Sequence, residues 1–244
     1  MTSWKVRSLR LTMFLASDAG QKASALEWEQ LTGYKPENVI NRGDNQAQEG
    51  PLGPGRLLLQ KQMPSRLDVL YAGFPKADSP EDPVATLGDL EPSSDPLVGI
   101  AQKLFQKVNS CVRLALGSEM VTPAGSPIEA YRLLVEHMGS ASFKLAGGHE
   151  FIYQMNRPRA SKVVPSLLVN RLTRWNASSW QPVTFEVGGV ATIVRGQPKI
   201  GAVITTDVNT DGDRTEPLPS AKLLPLLSEL REMTIEIRDK GDTP

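Results

Sequence analysis

The sequence predicts an α+β fold in which antiparallel sheet packs against a few helices, arranged as two lobes. Three observations lead there. Strand-like segments come in runs and do not alternate one for one with helices, as a doubly wound α/β fold would require. The helical segments are few and clustered. Residues 74–96 carry five prolines and several acids among few apolar residues, which marks a linker between the runs. The expected organisation is an N-terminal β-α-β-β lobe over 1–75, a linker over 76–95, and a C-terminal α+β lobe over 96–244 that holds a strand meander and a terminal helix.

The elements follow in chain order. SLRLTMFL places Leu9, Leu11, Met13 and Leu15 on one face and Arg10, Thr12 and Phe14 on the other, the period-two pattern of a half-buried strand. ASALEWEQLTG predicts a short helix with Ser24 as its cap, Leu26 and Leu31 on one side, and Gly33 as its end. Residues 41–55 read as a loop rich in Gly, Asn and Gln. EGPLGPGR at its end is no phosphate cradle, because two prolines remove amide donors and a strand follows. RLLLQKQ and RLDVLYAGF, joined by MPS, predict a hairpin.

After the linker, Asp95 reads as an N-cap and Pro96 as the first residue of a helix whose stripe is Leu97, Ile100, Ala101, Leu104, Phe105 and Val108. VRLALGS alternates as a strand. SPIEAYRLLVEHMG carries the strongest local signature: Ser126 caps, Pro127 takes the first position, Glu129 completes the box and Gly139 stops the helix. Its inner face is Ile128, Tyr131, Leu134, Val135 and Met138. FIYQM, SLLVNRLTRW, PVTFEVGG, ATIVR and PKIGAVITT then predict an antiparallel meander. LLPLLSELREM predicts a last helix, started late or kinked by Pro225, with a frayed tail after it.

Composition narrows the chemistry. Lys+Arg and Asp+Glu each total 27, so no bulk field draws the chain to nucleic acid or to an anionic membrane. One cysteine, Cys111, excludes an intrachain disulfide, and two histidines, His137 and His149, leave too few soft ligands for a Cys/His zinc site. The N-terminal apolar patch is interrupted by Arg10 and Thr12, unlike a signal-peptide core. No run approaches the ~18 apolar residues that span a bilayer. The reading is a cytoplasmic protein with no membrane partner.

Two constellations stand out. DVNTDGD matches the start of a calcium loop, with Asp207, Asn209 and Asp211 at alternate positions and Gly212 next. Arg214 and Leu218 then occupy the places of an apolar residue and the closing carboxylate, so the EF-hand pattern is left incomplete and is not the favoured reading. A looser divalent-cation site would use Asp207, Asn209, Asp211, Asp213 and Glu216; no other cofactor is expected. The competing reading is a polar turn launching the last helix. The second constellation is basic and aromatic: Arg157, Arg159, Lys162, Arg171 and Arg174 with Trp175 and Trp180, suited to phosphate, nucleic acid or a protein partner. On its strand, Arg171, Thr173 and Trp175 share one face, and Leu172 suggests that the opposite face is the more buried one.

No nucleophile elbow is present. Cys111, at a helix end, reads as packing, with a thiol raised by the helix dipole. His137, in a last helical turn, sits where a cation is favourable. The expected function is therefore a non-catalytic interaction or accessory protein acting as a subunit or adaptor. The alternatives are a divalent-metal-dependent enzyme or binder acting on a phosphorylated or nucleic-acid substrate, and a small-molecule-binding module.

Overall fold

The computed structural model describes residues 3–16, 28–43, 45–62, 65–74, 84–108, 110–138, 150–181, 183–188, 190–241 and 243, with the backbone alone at 60–62, 183–188 and 190–195. Its strands are β1 (Lys5–Leu15), β2 (Asn38–Arg42), β3 (Asn45–Leu52), β4 (Gly55–Gln62), β5 (Arg66–Gly73) and β6 (Cys111–Ala124), followed by β7 (Ile152–Asn156), β8 (Arg159–Ala160), β9 (Leu168–Trp180), β10 (Val183–Gly188), β11 (Val190–Arg195) and β12 (Lys199–Thr210). The helices are α1 (Trp28–Thr32), α2 (Leu90–Phe105), α3 (Pro127–Met138) and α4 (Ser220–Lys240). The predicted α+β class holds. Ten strands form one antiparallel sheet in the order β2-β3-β4-β5-β1-β6-β12-β9-β7, with β8 also paired to β9, while β10 and β11 pair with each other. Strand β1 lies between β5 and β6, so segments from both sides of the proline-rich stretch share one hydrogen-bonded sheet.

One face of that sheet is the core. Leu9, Leu11 and Met13 of β1, Leu114 and Met120 of β6, Ile204 and Val208 of β12, and Val169 and Trp175 of β9 are buried there. Helix α2 packs on β1 and on α4, α3 on β9 and β12, and α4 on β6 and β12. Burying such side chains contributes about 1.5–3 kcal/mol each, which makes this face the main source of stability. No helix among the described residues is long and apolar enough to cross a membrane.

Several expectations need correction. Residues 41–55 are not a loop: β2, β3 and the turn into β4 occupy them. All five residues of β2 are exposed, so the segment lacks the alternation that a buried face imposes. Helix α2 begins at Leu90, not at Pro96, which lies inside it. Buried Leu90 and the Glu91–Arg238 pair hold the extra turns in place, although Pro96 cannot donate to the ladder. In α3 the inner face is Ala130, Tyr131, Leu134 and Met138, while Ile128 is exposed. The predicted cap is present: Ser126 Oγ accepts from the Glu129 N–H at 3.2 Å, and Glu129 reaches back to the N–H of Gly125 at 2.7 Å. The tail is helical to Lys240, because Met233, Thr234 and Ile237 are buried against the sheet side. The start of the helix around Ser24 and Leu26, the stop at Gly139, and His149 lie outside the described residues.

The C-terminal ends of α3 and α4 meet at Gly241, which has φ +72°. A side-chain carbon there would stand 2.0 Å from the carbonyl oxygen of His137. The contact requires glycine for both reasons.

Candidate functional site

The basic and aromatic set divides when the chain folds. Strand β9 turns Arg171, Thr173 and Trp175 to the core, the opposite of the face that Leu172 suggested. Trp175 is fully buried, so it cannot stack on a ligand. Arg159 donates to Glu236 of α4 at 2.7 Å, and buried Arg171 lies 3.8 Å from the same carboxylate. The Arg159 guanidinium holds the Glu236 carboxyl below its ordinary range. Arg157 is half-buried, and its N–H donates to the carbonyl of Arg171 at 3.3 Å. The backbone N–H of Lys162 and the hydroxyl of Ser161 both donate to buried Glu229 at 2.6 Å, although the Lys162 side chain is exposed. Arg174 is exposed and Trp180 half-buried. Arg159 and Arg171, two of the arginines that looked like a phosphate clamp, therefore tie the β8–β9 region to α4.

The acidic stretch also divides. Asp207 and Asn209 are not in a loop but in β12, paired to β6 and β9. Asn209 Nδ2 donates to Asp207 Oδ1 at 3.2 Å. Asp211 closes a turn by accepting the Asp213 N–H at 3.2 Å, which is the local bonding that favours Asp in turns. Glu216 is exposed, 3.8 Å from Arg214, and Leu218 is buried with its N–H donating to Cys111 O at 2.7 Å. Among the described residues no three carboxylate, thiol or imidazole groups gather round one point.

The two groups considered for nucleophilic or acid–base chemistry are interior. Cys111 opens β6, where burial pushes its thiol up to about 12; burial, not a helix dipole, is the cause. His137 lies between Trp4 and Trp175, with ring centroids 5.3 and 5.5 Å away. Burial lowers its pKa, so the helix-end cation is not favoured. The ring nitrogens Trp4 Nε1, His137 Nε2 and Trp175 Nε1 are buried without hydrogen-bond partners among the described residues.

These shifts give a pH prediction. His137 is depressed in the folded chain, so its contribution is present above about 6.5 and is lost as pH falls below that value. Glu91, held down by Arg238, and Glu236, held down by Arg159, contribute above about 4.5 and lose that contribution on further acidification. Melting temperature should fall in two stages between pH 8 and pH 3. In His137→Leu the first stage should vanish while the second persists. An unchanged first stage would remove the histidine from the account.

Two features escaped the sequence reading. The first is the sheet edge at β2, where Val39 is 52% and Ile40 47% exposed. Adjacent β-branched residues in ENVIN were the available signal. Arg42 and Asn45 flank a two-residue connection, so hydrogen bonds to β3 alternate through Arg42, Ile40 and Asn38. The N–H and C=O groups of Val39 and Asn41 therefore point away from the sheet. The second feature is a groove of about 340 Å³ where β1 and β12 begin and β6 and β9 end. Val121, Pro123, Ile200 and Trp180 wall it, Lys5 and Lys199 stand at it, and Val84 and Thr86 close it from the segment before α2. No spacing rule predicts it, because its residues come from five segments.

No protein-family model matches the chain, and no curated protein is similar to it.

Proposed function

We propose that the chain is a non-catalytic interaction protein that accepts an extended segment of a partner protein along β2. The observation that carries this reading is the open edge: five exposed residues, two of them β-branched and apolar, with backbone groups at Val39 and Asn41 directed outward. An edge of this kind is a template for strand addition, in which main-chain bonds give affinity and alternate side chains give specificity. Natural edges are commonly blunted by charge or proline, and β2 offers only Arg42. The exposed Lys162 and Arg174 belong to the partner-facing surface in this reading, and the single buried cysteine suits work in the cytoplasm.

The test places a photo-crosslinking residue at Asn41 in the cell of origin. Irradiation should give one dominant adduct, and Val39→Pro should abolish it, since proline there removes an outward N–H and leaves the bonds to β3 intact. No adduct, or one indifferent to Val39→Pro, would exclude strand addition at this edge. An adduct with a second copy of the chain would make the protein a self-associating subunit instead.

A further inference from the structure

We infer that the groove at the end of the central strands binds a small amphipathic carboxylate, with an aliphatic or aryl-alkyl body between its apolar walls and its head group on Lys199. The inference stands on observations separate from the β2 edge.

The shape comes first. Gly201 of β12 has no side chain, and a carbon there would stand 2.9 Å from the Trp180 ring and 3.0 Å from Val121. The missing side chain lets the indole lie against the backbone and form a flat aromatic wall. Val121 and Pro123 share the face of the sheet that carries the indole and give the slot its other apolar lining there. A volume of about 340 Å³ falls at the lower end of the range for small-molecule sites, which suits a body of about ten carbons and not a nucleotide.

Charge then selects the head group. Three cations stand near the slot, and two are already neutralised: Lys5 lies 2.7 Å from Asp89, and Arg7, whose guanidinium is 5.7 Å from the centre of the Trp180 ring, lies 2.5 Å from Glu119. Lys199 has no acidic partner among the described residues, and its register partner across the ladder is Trp180 itself. One uncompensated ammonium beside an aromatic wall matches one negative charge on an apolar body. Thr86 also lines the groove and carries a hydroxyl, the kind of donor a carboxylate accepts from.

The test titrates the full chain with sodium decanoate and with decanol by calorimetry, below the concentration at which either aggregates. Decanoate should bind saturably with one site, about tenfold or more tighter than decanol, the ratio expected of one charge-assisted hydrogen bond. Lys199→Met should bring decanoate down to the level of decanol and leave decanol unchanged. Trp180→Ala, with its fold checked by circular dichroism, should weaken both. Lys222→Met, an exposed lysine of α4, should change neither. Equal binding of the two ligands by the native chain, a preference that survives Lys199→Met, or no saturable binding of decanoate below millimolar concentration would each overturn the assignment.

Discussion

Replacing Gly241 by alanine should destabilise the fold by about 3 kcal/mol or more, the largest loss expected of any single methyl group in this chain. Two independent terms add. At φ +72° and ψ −151° the residue occupies a region that is essentially restricted to glycine, which alone costs an alanine on the order of 1–3 kcal/mol. The new carbon would also stand 2.0 Å from the His137 carbonyl oxygen, inside any real contact distance. Relief requires parting the C-terminal ends of α3 and α4, and with them the cover over β9 and β12. The control is Gly99→Ala. Gly99 lies in the interior of α2, exposed, with open space around it, so alanine there should stabilise by about 0.5–1 kcal/mol. Denaturant titration of the two variants should move the midpoint in opposite directions. A Gly241→Ala chain as stable as the parent would show that the two helix ends do not meet as described.

The second large effect is at Trp175. Trp175→Ala should cost about 3–5 kcal/mol, the range for deleting a large aromatic side chain from a core. Trp175→Phe should cost far less. The indole N–H has no hydrogen-bond partner among the described residues, so losing it should sacrifice no bond. The ring contact with His137, at 5.5 Å between centroids, is of a kind that phenylalanine can keep. If Phe proves as damaging as Ala, the N–H must be bonded in solution, and the packing of Trp4, His137 and Trp175 is tighter than the ring positions indicate.

Reading of the sequence succeeded where one face of an element is buried and failed where none is. Strand β1 was legible because Leu9, Leu11 and Met13 alternate against a core, and α3 because its cap residues act locally. Strands β2 and β3 were missed because an edge hairpin carries polar residues on both faces, so nothing repeats. The start of α2 was misplaced because Glu91 is held by Arg238, a partner 147 residues away that no local pattern announces. The candidate sites suffered most. Arginine spacing cannot show that Glu236 already occupies Arg159, and a tryptophan written among basic residues reads the same whether it faces solvent or, like Trp175, the core. Asp207 and Asn209 looked like loop ligands because β12 runs four residues further than the PKIGAVITT segment, to Thr210.

The order of strands also bears on how the chain acquires its fold. Leu11 of β1 pairs with Leu116 of β6, and Leu116 in turn with Val208 of β12. Strand β1 thus leaves the ribosome well before β6, its second neighbour, and β6 waits in turn for β12. Such long loops must close before non-local pairing rewards them, which places folding toward the slow end, on the order of milliseconds to seconds or longer. Until α4 emerges, β6 and β12 lack the helix that packs across both of them. A nascent chain with this connectivity carries sticky, unpaired strands until β12 is made, so its yield in the cell should depend on chaperone supply more than its final stability would suggest.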